Sequence, residues 1–329
     1  MKSGSSNVVV DWFHDIAQAW DQFWFKPRLP HTLAVIRIAC GGMLVYVHLI
    51  WAIFATDFMG STAWIDNAAI RKLHENGSGM EWAWSWLWYV ESPILLGLHE
   101  WLAIIFSAAM MVGYATRIAT PLAWWFTLMT CHRMTGALFG LDQVVMMLCM
   151  YLMIAPCGSV LSFDAILREK VWAGGTSQPN AWNNIATRLI QLHLCVIYIF
   201  GGLSKMRGDF WYEGSAMWYA LVNYEYQSMD MTWLGAYPLI IASLTAITIF
   251  WETFYCALVW PRLTRPIAIV AALFVHGGIA LVLGMVTFGT SMIVANFAFI
   301  EPEFIRGLFA RFSAASSRPS AKCAGSLAK

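Results

Sequence analysis

The sequence predicts an all-α fold, a polytopic transmembrane helical bundle of seven or eight spans with interfacial helices. Three observations predict it. Hydrophobic residues fill 59% of 329 positions and charged residues only 12%, about half the charged share of a soluble domain. Mean hydropathy is +0.60. The 19 tryptophans suit a membrane protein, because indole rings settle at headgroup level. A formal net charge of +1, with no basic stripe carrying interleaved aromatics, argues against nucleic acid as a partner. Membrane lipid is the first partner that this composition implies.

The elements follow in order. Residues 1–32 read as an interfacial N-terminal segment, because 11–25 alternate Trp, Phe and Ile with acids at helical spacing. Asp11, Asp15, Asp21, Lys26 and Arg28 leave no uninterrupted apolar core there, so no cleavable signal peptide is expected. Apolar runs near the length a bilayer needs lie at 33–55, 94–114, 118–136, 141–157, 186–205, 236–259, 266–285 and 286–300. His132 and Arg133 interrupt the third. The eighth is short and reads as a span, a re-entrant piece or a continuation of the seventh.

With eight spans, one side holds fourteen lysines and arginines. The other holds Arg71, Lys72, Arg133, Lys205 and Arg207, and Arg37 inside the first span completes the 20. The basic side is therefore expected to be cytoplasmic, with both termini there, in a bacterial-type inner membrane. The segments 57–93 and 206–235 then face outward. They carry Trp82, Trp84, Trp86, Trp88, Glu81 and Glu91 in one, and Trp211, Trp218, Glu213 and Glu225 in the other. They are too aromatic for solvated loops and are expected to cap the bundle as half-buried helices. Residues 1–310 form one domain without an internal repeat. Residues 311–329, rich in Ser, Ala and Lys, are expected to be a disordered cytoplasmic tail.

Chemistry concentrates in Tyr198–Met217, YIFGGLSKMRGDFWYEGSAM. Gln191, Tyr198 and Lys205 recur every seven residues, within about 40° of one another on a helix, with Gly201 near the same face. His193 lies roughly 120° away. A polar stripe of this kind faces a bundle interior or a cavity. Lys205 either snorkels to the interface or serves as a base, and a base must be a neutral amine. Burial and Arg207 favour the neutral form, whereas Asp209 or Glu213 would favour the ammonium ion. Arg37 and Glu252, both in the cytoplasmic halves of their spans, read as a structural ion pair. His48, His132, Arg133, Asp142 and His276 lie at mid-depth or toward the side of Lys205. Gly277 and Gly278 after His276 suggest a close helix contact or the approach of a cofactor.

The seven cysteines include no CxxC and no Cys/His metal spacing, so they read as small buried hydrophobes, and no metal is expected. No GxSxG, HExxH, P-loop or dinucleotide fingerprint is present.

From 12 to 304 the chain resembles the membrane domain, often called HTTM, of vitamin K-dependent γ-carboxylases and their bacterial relatives. The resemblance rests on RIACGGML, GLDQVVMMLCMYLMIAPCG, WETFYCALVWPRLTR and VHGGIALVLGMVTFGTSMIVANFAFIEPE, and above all on RLIQLHLCVIYIFGGLSKMRGDFWYEGSAMW. By position after GGLS, Lys205 matches the lysine proposed to deprotonate reduced vitamin K. Trp211, Tyr212, Glu213 and Gly214 match a Trp-x-Glu-Gly pattern. Where the carboxylases place a histidine before Leu138, Phe139, Gly140 and Leu141, this chain has Thr135, with His132 three residues earlier. The large lumenal region that binds a propeptide in the carboxylases has no counterpart here, so carboxylation of a protein glutamate is not expected.

The resemblance therefore implies chemistry of a quinol, reduced vitamin K or another lipid-soluble redox cofactor, at the outer face. Such an enzyme would be carboxylase-like, lyase-like or a quinone-dependent oxidoreductase. Lys205 is the implied base and His132 a further acid/base candidate. Tyr198, Gly201, Trp211, Glu213 and His276 are expected around the cofactor. An exported peptide or protein is the substrate class that goes with it. The alternative is a non-catalytic membrane subunit, or a maturation or immunity partner of an exported peptide, with Lys205 structural.

Overall fold

The structure is a computed structural model that describes residues 8–75, 82–171 and 178–316. Lys2, Glu81, Arg318, Lys322, Cys323 and Lys329 lie outside these residues, as do the side chain of Lys170 and residues 317–329 of the expected tail. The described residues are helical, and their only β-like feature is an isolated bridge between Arg28 and Asn180.

The chain begins with α1 (Val8–Phe25), which leaves Trp12, Phe13, Ile16 and Trp20 exposed. It then forms α2 (His31–Ile53), the short α3 (Ala55–Phe58), α4 (Asn67–Glu75), α5 (Pro93–Val112), α6 (Thr116–Arg133) and α7 (Gly140–Leu152). After α8 (Phe163–Val171) comes α9 (Ala181–Lys205), whose N-cap Asn180 accepts from the Trp182 N–H. Two short pieces, α10 (Asp209–Tyr212) and α11 (Ala216–Leu221), precede α12 (Pro238–Leu258), α13 (Arg265–Val282), α14 (Val286–Asn296) and α15 (Pro302–Ser316).

Each of the eight expected spans contains a helix. Five of these, α2, α5, α9, α12 and α13, are long and apolar enough to cross a membrane. The 13 residues of α7 rise only about 20 Å, against a hydrocarbon core of about 30 Å. The described parts of the segments 57–93 and 206–235, expected to face outward, fold as short helices and 3₁₀ turns: α3, α4 and Trp86–Tyr89 in or at the edge of one, α10, α11 and Thr232–Ala236 in the other. At the far end of the chain, α15 runs on to Ser316.

The core joins α2 to α5, α5 to α6, α9 to α12 and α13 to α14. Small residues set the closest approaches. A Cβ on Gly202 of α9 would fall 2.7 Å from the Thr253 backbone nitrogen in α12. One on Gly289 of α14 would fall 2.4 Å from His276 O in α13. Between apolar helices in lipid, such close packing replaces the hydrophobic drive available in water.

Arg37 corrects one expectation. It is fully buried in α2 and forms no ion pair with Glu252. Its guanidinium donates to Met110 O (2.5 Å), Met111 O (2.7 Å), Leu161 O (2.6 Å) and Cys157 O (3.3 Å). The last-turn carbonyls of α5 lack the i+4 donors of the regular helix, and the arginine supplies donors to two of them. One side chain thus ties α2 to the end of α5 and to the 157–161 loop. Gly277 and Gly278 correct another: a Cβ on either would meet nothing within 4 Å, so no helix packs closely there.

The two kinds of glycine predict opposite behaviour. Gly202→Ala should cost about 1–3 kcal/mol by forcing α9 from α12. Gly277→Ala should stay within about 1 kcal/mol of the parent or gain stability. Thermal unfolding of both variants in the same detergent distinguishes them.

Candidate functional site at the end of α9

The site follows from where α9 stops. After Lys205 the chain turns at Gly208, whose N–H donates to Lys205 O (3.0 Å). It then folds back along α12. Gly214 adopts φ +76°, open to glycine without strain, and a Cβ there would sit 3.1 Å from Ala242 Cβ. The Met217 N–H donates to Thr245 Oγ1 (3.2 Å), which donates to Gly214 O (3.1 Å). The residues after α9 therefore cover the first half of α12, and the end of α9 lies beside its interior.

There Lys205 Nζ donates to Glu252 Oε2 at 2.6 Å. Glu252 is about 21 Å along α12 from Pro238 and about 9 Å from Leu258. The expected rim lysine is thus level with an acid well inside a neighbouring helix. The side chains are 29% and 10% exposed. The ammonium also lies 5.5 Å from the centre of the Trp211 ring, within cation–π range. A Cβ on Gly201 would approach Glu252 Oε2 to 3.3 Å, so the glycine leaves room for the pair.

Two turns deeper, Tyr198 is buried against Tyr255 (ring centres 4.1 Å apart) and Trp251 (4.9 Å). Its hydroxyl is 2.7 Å from His276 Nε2 and accepts from Asn296 Nδ2 at 2.9 Å. The same amide nitrogen donates to Met292 O (2.9 Å), and Asn296 Oδ1 accepts from the Tyr255 hydroxyl (2.7 Å). This fixes the amide orientation, because a flipped amide would set an oxygen against the Met292 carbonyl. Tyr198 has one proton and no other acceptor among the described residues, so the arrangement that satisfies both groups has Tyr198 donating to His276 Nε2. His276 is then the neutral tautomer with its proton on Nδ1. That nitrogen is buried and has no partner among the described residues.

The structure brings together Lys205, Tyr198, Gly201, Trp211 and His276 and adds Glu252, Tyr255 and Asn296. Gln191 continues the stripe, donating to Ala298 O (2.8 Å). Glu213 and His132 are not drawn in. Glu213 is exposed and makes no ion pair among the described residues. His132 Nδ1 lies 2.9 Å from Trp84 O, and its carbonyl accepts from Trp88 Nε1 (3.1 Å). Arg133 and Asp142 also serve locally: Arg133 donates to Asn67 Oδ1 (2.9 Å) and Ile65 O (2.8 Å), and Asp142 caps α7 at the Phe139 N–H (2.8 Å).

A second buried network joins α2, α5 and α6. Glu100, fully buried, contacts His48 Nδ1 (2.7 Å) and accepts from Thr130 Oγ1 (3.1 Å). His99 contacts the same threonine (2.9 Å) and accepts from Trp86 Nε1 (3.1 Å). Only His48 stood out in the sequence. Glu100 and His99 went unnoticed, although an acid beside a histidine inside the apolar run 94–112 is itself a signal.

A cavity of about 950 Å³ lies elsewhere. Thr116, Arg117, Asp164 and Trp182 line it at the opposite end of α9, some 34 Å from Lys205 along the helix. Among the described residues no group of His, Cys, Asp or Glu could hold a metal. Family models, curated proteins and solved structures return no match to this chain.

The ion pair makes a thermodynamic prediction. Lys205→Met or Glu252→Gln alone leaves one charge or one polar group without its partner, and each should cost up to about 3 kcal/mol. The double variant should recover part of that loss. Unfolding midpoints of the four proteins in one detergent measure the coupling.

Proposed function

We propose that the chain is a multi-pass membrane enzyme of the carboxylase-like HTTM type, with Lys205 as the base that deprotonates a lipid-soluble quinol. The reading keeps seven or eight spans and both termini on the cytoplasmic side of a bacterial-type inner membrane, with a site that lies beneath the 206–235 segment, about 21 Å along α12 from its outer end. The observation that carries it is the Lys205–Glu252 pair inside the length of an apolar helix, one layer above a neutral histidine with an unpartnered donor. Ionisable groups in such places are costly and commonly functional.

The residues fit a quinol on two counts. Lys205 Nζ remains partly accessible beside the Trp211 ring face, and the His276 Nδ1–H lacks the acceptor that a quinone-type oxygen would provide. When bound, a quinol supplies an ionisable hydroxyl and two electrons. Glu252 Oε2, 2.6 Å from Lys205 Nζ, is the group placed to take the ammonium's proton. With the proton on Glu252 Oε2, Lys205 is a neutral amine and can take the hydroxyl proton at Nζ. Glu252 holds the displaced proton, and Tyr198 with Asn296 orients His276 toward the ligand. Reduced vitamin K or another quinol suits this arrangement, with an exported peptide or protein as the acceptor class.

One observation favours a static role. Lys205 and Glu252 satisfy each other across the α9–α12 seam, which suits a brace in a membrane subunit or in a maturation or immunity partner. Oxygen-dependent oxidation of a reduced naphthoquinone by the purified protein separates the two. Lys205→Met should lower the rate about 10²–10⁴-fold, with the Lys205→Met/Glu252→Gln pair as the better-folded comparator, while His132→Ala should leave it unchanged. Full turnover in a folded Lys205→Met protein would sink the enzymatic reading.

A further inference from the structure

At the end of the bundle remote from Lys205, a cavity of about 410 Å³ is lined by Lys26, Arg28, Arg188, Arg262 and Arg265 together with Glu301 and Glu303. The charges do not cancel. Glu301 serves Arg28 (3.5 Å) and Arg265 (3.1 Å) at once. Arg188 has no carboxylate among the described residues. Its Nε donates to Phe23 O (3.2 Å) and its Nη1 to Gln191 Oε1 (2.9 Å), which leaves Nη2 without an acceptor among the described residues. Stacking on Phe23 (4.4 Å) and Trp260 (5.6 Å) holds the guanidinium in place, although Arg28 and Arg265 repel it. Arg28 Nε is buried with no acceptor among the described residues. Lys26 and Arg262 are exposed and form no ion pair among the described residues.

We propose that this cavity binds a phosphate-bearing anion, the headgroup of an anionic phospholipid. Fixed guanidinium forks with free N–H groups match phosphate oxygens, and a bound anion would relieve the repulsion among the arginines. Position favours a lipid over free phosphate. The cavity lies where α9, α12 and α13, three of the five helices long and apolar enough to cross a membrane, reach one end of the bundle. Beside it, α1 exposes Val9, Trp12, Phe13, Ile16 and Trp20, an apolar face suited to lying at the interface. Its volume falls within the range of ligand pockets. Basic pockets between spanning helices are where acidic headgroups bind.

The test combines native mass spectrometry with thermal unfolding of the full chain in neutral detergent. Phosphatidylglycerol, phosphatidylcholine and inorganic phosphate are titrated separately. Phosphatidylglycerol should be retained at one copy and raise the unfolding temperature, whereas phosphatidylcholine should do neither. Arg188→Gln should weaken phosphatidylglycerol binding roughly tenfold. Arg262→Gln, a change to an exposed side chain with no hydrogen bond in the structure, gives a second reading if the first variant fails to fold, and it too should weaken binding. Arg207→Gln, at the other end, should change nothing. Stabilisation by inorganic phosphate but not by phosphatidylglycerol would keep the anion site and overturn the lipid. Equal binding of both lipids, or binding indifferent to Arg188 and Arg262, would overturn the proposal. The outcome does not depend on the chemistry of Lys205, because neither Lys205 nor Glu252 lines the cavity.

Discussion

The ion pair between Lys205 and Glu252 is the constraint on which the rest of the site depends. An amine and a carboxylate placed beside the interior of an apolar helix need each other, because neither is well solvated there. Their 2.6 Å contact sets the level at which α9 stops against α12. Gly201 and Gly202 make that contact reachable: the first leaves room for the carboxylate, and the second lets the two backbones meet. The turn at Gly214 then folds the following residues over α12, which puts Trp211 beside the ammonium.

Beneath the pair, the Tyr198, His276, Asn296 and Tyr255 network has a single consistent direction of donation, from Tyr255 through Asn296 and Tyr198 to His276. Its one loose end is the His276 Nδ1 proton. Buried polar groups without partners are uncommon in native proteins, and in the proposed function this donor next to a charged pair is the one offered to a ligand oxygen. The other buried network, around Glu100, is closed on itself by His48, His99 and Thr130. That closure suits a structural core of α2, α5 and α6 better than an open site.

Much of this was legible in the sequence. Composition set the helical membrane class, and hydropathy located the helices to within a few residues. The seven-residue spacing put Gln191, Tyr198 and Lys205 on one inward face, where the structure has them. Partners across helices were not legible. Glu252 was matched with Arg37 because both lay in corresponding halves of their spans. That logic assumed that helices end at a common level, and α9 does not end level with α12. Arg37 needed no acid, because backbone carbonyls at the end of α5 accept from its guanidinium. Asn296 and Tyr255 gave no sequence signal, since a lone amide and a lone phenol in apolar runs become informative only when they meet. Gly277 and Gly278 suggested a close contact, whereas the close contact of α13 is made by Gly289 from the other side.

In the proposed function Glu252 holds the proton that Lys205 gives up. Infrared difference spectroscopy of the purified protein, before and after anaerobic addition of a reduced naphthoquinone, reads this directly. The account predicts the carbonyl band of a protonated carboxylic acid on ligand addition, absent in Glu252→Gln. A spectrum in which Glu252 remains a carboxylate throughout, with ligand bound, would contradict it.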